Sequence, residues 1–339
     1  MARAFGTPHC VAQFRQNIKD FKVEETLSFE PTGTGQHWLV QVEKINNNTQ
    51  WTAQTLARFV GVRTRDVGYA GLKDRRAQVL QWFSVPAGKG AEPKWSSLVD
   101  DGIRVVQHHR HKSKLRRGAI KHNAFEILVH MVEGEVAEIE QRALHIDQEG
   151  VPNYFGNQRF GNDGSNLSGA RQWFVKEQVP RPRLRGLYLS AARSLIFNQI
   201  LSQRVLDCSW SSPLLGDRMI LQGSRSHFHV TELDQILYDR TAEHDIHPSG
   251  ALWGAGELGV THEVAELEKE VAGRFDVFAQ GLVRNKLEQE RRALRVRPER
   301  LKVTSDTPHS VSLEFELPTG SFATSVLREL FRSPGQEGV

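Results

Sequence analysis

One carboxylate in this chain stands in an unusual setting. The segment Gly68-Tyr69-Ala70-Gly71-Leu72-Lys73-Asp74-Arg75-Arg76-Ala77 places Asp74 beside Lys73, Arg75 and Arg76, behind a bend of small residues. Small residues at Gly68, Ala70 and Gly71 let a backbone or a ligand come close. Neighbouring cations favour the ionised carboxylate, and an ionised carboxylate without a metal can act as a nucleophile or as a base. The run Lys-Asp-Arg-Arg also suits a solvated turn with weak ion pairs.

A basic stretch forms a second candidate. Arg110, Lys112, Lys114, Arg116, Arg117 and Lys121 follow one another with no acid between them, and Asn123 and Phe125 come next. Cations hold phosphates, a ring stacks on an unpaired base, and an amide reads a base edge, which together suit RNA. A bare charge run also suits a solvated surface. The alternation of Phe125 with Ile127 and Val129 equally suits a core position.

Other chemistries lack their signatures. The chain has no GxxxxGK[ST] loop, HExxH or GxSxG, and Gly33-Thr34-Gly35 and Gly88-Lys89-Gly90 are isolated glycine pairs without a dinucleotide-site context. The 14 histidines fall in no metal spacing with acidic partners; His108-His109-x-His111 has chelating groups but better suits a solvated basic strand edge, so no metal is expected. The 2 cysteines, Cys10 and Cys208, exclude a disulfide scaffold and a CxxC pair. The N-terminus has no apolar signal core and no run approaches a membrane span, so a cytoplasmic protein is expected. Lys+Arg 44 against Asp+Glu 40 gives a net charge of +4, which permits a polyanionic partner without requiring one.

The elements that must position these residues are legible in part. Trp38, Val40 and Val42 alternate along a strand. Asn46-Asn47-Asn48-Thr49 then offers turn and N-cap residues, Ala53, Leu56, Ala57 and Val60 a helix face, and Gly61 its end. Gln78 to Val85 reads as a strand, so Asp74 sits in a loop just before one. Phe125, Ile127 and Val129 mark another strand, and Val136, Ile139, Ala143 and Leu144 a helix ending near Gly150. Ser190 is expected to cap a helix with Ala192, Leu195, Ile196, Ile200 and Leu201 on one face, and a charged helical pattern runs from about Val260 to Arg295. Val311, Leu313, Phe315 and Leu317 return to strand, with a turn at Pro318-Thr319-Gly320, a short helix, and a frayed tail from Ser333. The 339 residues suit about two domains. Strand-rich ends around a different middle fit an insertion, and equally two sequential domains.

The segment around Asp74 resembles the catalytic motif of the TruD family of tRNA pseudouridine synthases. Further blocks resemble that family in its own order: Lys19-Asp20-Phe21-Lys22-Val23-Glu24-Glu25, Pro31 to His37, Asn48-Thr49, Lys121-His122-Asn123-Ala124-Phe125, Val151-Pro152-Asn153-Tyr154-Phe155-Gly156-Asn157-Gln158-Arg159-Phe160-Gly161, Ser190 to Ser194, and Leu317 to Ser325. The resemblance implies an α+β pseudouridine synthase fold, a curved mixed sheet flanked by helices. It implies a catalytic domain in two parts, 1–149 and 297–339, around an inserted α/β domain at 150–296. The implied reaction is isomerisation of uridine 13 in the D arm of tRNA, without cofactor or metal, by a protein expected to act as a monomer. Asp74 matches the catalytic aspartate, Asn123 a residue that helps place it, Phe125 the ring against the target uracil, and Phe322 a second active-site aromatic. Phe21 and Lys73 lie in the matching motifs as supporting residues, and Arg15 aligns with an early active-site lysine. Val79 stands where the family usually has threonine, and His122 where glycine is common. Attack of Asp74 on C1′ and removal of a ribose proton are both compatible with these residues. An RNA chaperone on the same fold, or a hydrolase of a nucleoside N-glycosidic bond, are the alternative activities.

Overall fold

A computed structural model describes residues 1–88, 91–98, 100 and 102–334. The Gly88-Lys89-Gly90 pair and the tail beyond Pro334 therefore fall partly outside the described residues. The chain forms two compact units. One comprises His9–Ala143 and Glu299–Gly320 with the residues from Phe331 onward; the other comprises Met1–Pro8, Leu144–Pro298 and Ser321–Leu330.

The first unit is built on a mixed sheet of nine strands. Its N-terminal strands are β1 (Val11–Phe14), β2 (Phe21–Leu27) and β3 (His37–Ile45). Helix α1 (Thr49–Val60) follows, then β4 (Gly68–Tyr69), β5 (Gln78–Pro86), β6 (Ile103–His111) and β7 (Ile120–Glu133). A C-terminal hairpin, Glu299–Thr307 and Ser310–Pro318, completes it beside β7. β2 runs parallel to β5 and antiparallel to β7. That one parallel pair brings the residues around Phe21 next to the strand that follows Asp74.

Local chemistry explains the expected elements. The side chain of Asn48 accepts from the Trp51 N–H at the start of α1, and Gly61 ends the helix in the left-handed conformation (φ 72°). Ala53, Leu56 and Ala57 pack against Val40, Val42 and Phe83 in one buried cluster. β6 is the edge strand, so His108–His111 lie on a sheet edge.

The second unit pairs helices with a four-stranded antiparallel sheet of His227–His229, Arg218–Leu221, Ile246–Leu252 and Glu290–Ala293. Its long helix spans Pro182–Leu206, eight residues earlier than Ser190, because Pro182 occupies the first turn, where its missing N–H costs nothing. Ser190 lies inside that helix. The charged stretch after Val260 divides into His262–Arg274 and Asp276–Arg284, broken at Phe275 (φ −118°, ψ 35°), and then a strand. The helical pattern expected through Arg295 thus stops at Arg284: Glu290-Arg291-Arg292-Ala293 is instead a strand, because it pairs with Ser249–Leu252. Helix Val136–Glu149 forms as expected, but Leu144 is exposed on it. Among the described residues no helix is long and apolar enough to cross a membrane.

Candidate active site

The Asp74 loop is held by largely buried side chains. Period-two alternation along β3 that buries Val40 and Val42 also buries Lys44, which is 0% exposed. Its ammonium donates to the carbonyls of Asn47 (2.7 Å) and of Asp74 itself (2.9 Å). Burial pushes the Lys44 ammonium down to about 8, opposed mainly by the charge of Asp74.

Beside it runs a second buried network. Glu25 faces inward from β2 in phase with Phe21 and Val23. It meets the Lys73 ammonium at 2.6 Å and accepts the Trp82 N–H at 2.9 Å. Gln81 donates to the Gly71 carbonyl (2.9 Å), and the Thr49 hydroxyl accepts the Lys73 N–H (2.9 Å) and donates to Gln81 (3.0 Å). The loop is thus tied at Gly71, Lys73 and Asp74 to strands β2, β3 and β5 and to the start of α1. A buried network satisfied in this way fixes one geometry.

Gly68 is a requirement of close approach. A Cβ there would lie 2.4 Å from the Ser84 Oγ and 2.7 Å from the Leu115 carbonyl. Gly71 has open space around it.

Above the network the Asp74 carboxylate is partly open. Arg15 binds it at 2.6 Å, with the two side chains 29% and 36% exposed. A pair this exposed contributes little to stability, about 0–1 kcal/mol; its effect is to aim the carboxylate. Arg15 adopts φ 58°, uncommon for a residue with a side chain, and such strain gathers at functional sites. Its guanidinium stacks 4.0 Å from the Phe21 ring centroid. Phe21 meets Phe125 edge-on at 6.1 Å, and Phe125 stacks on Phe315 at 5.3 Å. Phe125 remains half-buried, so it is neither a sealed core residue nor a free platform. Asn123 pairs with Glu25 across β2 and β7, and its buried Oδ1 has no hydrogen-bond partner. A buried acceptor left open in this way marks a place where a donor is awaited. His122 contacts Glu316 at 3.3 Å.

The sequence-predicted residues therefore divide. Asp74, Arg15, Phe21, Phe125 and Asn123 share the sheet unit with the loop. Lys73 directs its ammonium to Glu25 and so supports the loop rather than the carboxylate. Phe322 belongs to the other unit, where its ring lies 5.9 Å from Phe155. In the basic stretch, Arg110 stacks on Trp38 at 4.7 Å and donates to the Gly35 carbonyl. Lys114 donates to the Arg65 carbonyl at 2.6 Å. Lys112, Arg116, Arg117 and Lys121 are exposed and make no ion pair with a described residue. Lys44 and Gln81 were not singled out from the sequence, and Glu25 and Thr49 were quoted there only within longer segments. For Glu25 and Lys44 the alternation of β2 and β3 was the available signal, since it turns a charged residue onto an apolar face. Among the described residues no cluster of three or more His, Cys, Asp or Glu is placed to hold a metal ion.

A family model described as tRNA pseudouridine synthase D (TruD) matches residues 2–178 and 168–330. The tRNA pseudouridine synthase D of Methylococcus capsulatus is 42% identical over 334 residues, covering 97% of this chain and 94% of that one. That of Xanthomonas campestris pv. campestris is 41% identical over 344 residues, covering 97% and 94%. The crystal structure of the putative tRNA pseudouridine synthase D of Methanosarcina mazei matches with a TM-score of 0.73 at 20% identity, covering 98% of this chain and 96% of that one. At that identity the likeness is one of fold.

Proposed function

The chain belongs to the tRNA pseudouridine synthase D family, and on that premise we propose that it isomerises uridine 13 in the D arm of tRNA to pseudouridine, with Asp74 as the reacting carboxylate. The observation that carries this reading is the Asp74 loop: an accessible carboxylate aimed by Arg15 from a backbone tied to Lys44, Gln81 and Thr49.

The reaction breaks the N1–C1′ bond, turns the uracil and joins C5 to C1′; N1 gains a proton and C5 gives one up, so no atom is added or lost. Asp74 attacks C1′, or removes a ribose proton so that the sugar passes through a glycal. Either route needs the detached uracil held, and we assign this to the half-buried Phe125, whose ring meets the Phe21 ring on which the Asp74-bound Arg15 stacks. The open Oδ1 of Asn123 supplies an acceptor on the same face. The target nucleotide must leave its stack, which costs a few kcal/mol offset by phosphate contacts. Exposed Lys112, Arg116, Arg117 and Lys121, with Lys114 and Arg110, are the cations we assign to those contacts.

We assign residues 150–296 to an inserted domain that clamps tRNA; the compact unit spanning Leu144–Pro298 supports the insertion, though it also takes in Met1–Pro8 and Ser321–Leu330 from the two parts given to the catalytic domain. The enzyme acts where tRNA is, in the cytoplasm. Carbodiimide-primed primer extension on tRNA tests the central assignment. Asp74→Asn should form no pseudouridine above background while still binding tRNA; undiminished formation would refute the role of Asp74. Release of free uracil by the wild-type chain would mark a hydrolase instead.

A further inference from the structure

The second unit contains an arginine whose charge no carboxylate answers. Arg159 lies in the short turn Asn157–Phe160. Its guanidinium carbon is 5.2 Å from the Phe155 ring centroid and 5.8 Å from that of Phe322. Among the described residues the guanidinium makes one hydrogen bond, from Nη1 to the Ser190 Oγ at 2.8 Å, and no ion pair. Arg292 approaches the same Phe155 ring, at 4.3 Å, while donating to Asn153. Burial lowers both arginines, and the charge of Arg159 adds to the lowering of Arg292. Two half-buried cations thus share one ring.

Three other arginines of this unit, Arg204, Arg291 and Arg295, are matched. Arg204 meets Asp217 at 2.9 Å and Arg291 meets Glu268 at 2.8 Å. Arg295 spends its donors on the carbonyls of Thr241 and Ile246 and on His247. Arg159 keeps donors in hand. Stacking returns about 0.5–2 kcal/mol, but it leaves the guanidinium edge and its fork of N–H groups available. Phosphate accepts such a fork in bidentate fashion.

We propose that Arg159, beside the rings of Phe155 and Phe322, binds a phosphate of the RNA backbone. This subsite rests on the RNA-modifying reading above, and it extends that reading to a residue in the unit that carries Phe322.

The full-length Arg159→Gln and Arg159→Lys chains test it, by tRNA binding over a salt series alongside pseudouridine formation. Arg159→Gln should weaken binding about five- to tenfold and reduce the slope of log K against log salt by about 0.7–0.9, the share of one phosphate. Arg159→Lys should keep the slope and lose part of the affinity. A wild-type slope in Arg159→Gln overturns the subsite, and so does loss of the folded state in both variants, which would assign Arg159 to the fold. An active Arg159→Gln with unchanged slope refutes the subsite alone. A wild-type chain that binds tRNA through Arg159 but forms no pseudouridine refutes the reading and leaves the subsite.

Discussion

Lys44→Met separates positioning from stability. The substitution keeps most of the buried apolar stem and removes the ammonium that holds the carbonyls of Asn47 and Asp74. A hydrogen bond from a charged donor is worth about 1.5–3 kcal/mol. If the one bond to the Asp74 carbonyl is expressed in the placement of Asp74, at about 1.4 kcal/mol per tenfold, kcat falls about ten- to hundredfold. Stability moves less. Keeping this buried group charged at neutral pH costs about 3 kcal/mol, from the distance between 10.5 and about 8, and methionine removes that cost while leaving two carbonyls short of a donor. The net change should stay within about 2 kcal/mol.

The pH dependence sharpens the test. As pH rises through about 8, Lys44 gives up its proton in the folded chain, whereas the unfolded chain keeps it to about 10.5. In that window the unfolded state binds more protons, so the contribution of this group to stability rises with pH. Activity moves the other way: kcat should fall above about pH 8 in the wild type, and Lys44→Met should lack that limb. Single-turnover pseudouridine formation from pH 6.5 to 9.5 and urea unfolding read the two effects. A Lys44→Met chain with wild-type kcat, or one that keeps the alkaline limb, refutes the reasoning.

Replacing Lys112, Lys114, Arg116 and Arg117 together with alanine should weaken tRNA binding and lower the salt slope by roughly 3, from four phosphates at about 0.7–0.9 each; filter binding at several salt concentrations checks this, and an unchanged affinity rejects the patch. Gly68→Ala should cost about 1–3 kcal/mol, because its new Cβ meets the Ser84 Oγ and the Leu115 carbonyl. Gly71→Ala, where nothing lies within 4 Å, should stay within about 0.5 kcal/mol in the same urea titration.

What the sequence determined by itself was local. Asn48 and Gly61 bound α1, alternation marks β3, β5 and β7, and Asp74 must fall in the loop between α1 and β5, because capping, turn chemistry and side-chain periodicity act over a few residues. The motif around Asp74 was readable for the same reason, being one continuous segment. The tertiary structure alone decided which charges meet. Lys73 goes to Glu25 and Arg15 to Asp74 because β2 lies parallel to β5 and antiparallel to β7, a pairing no short-range pattern encodes. The strand state of Glu290–Ala293 followed likewise from its partner Ser249–Leu252, distant in the chain. Burial turns Lys44 from an ordinary surface charge into the anchor of Asp74, since the cost of desolvation is set by what surrounds a side chain and not by its neighbours in sequence.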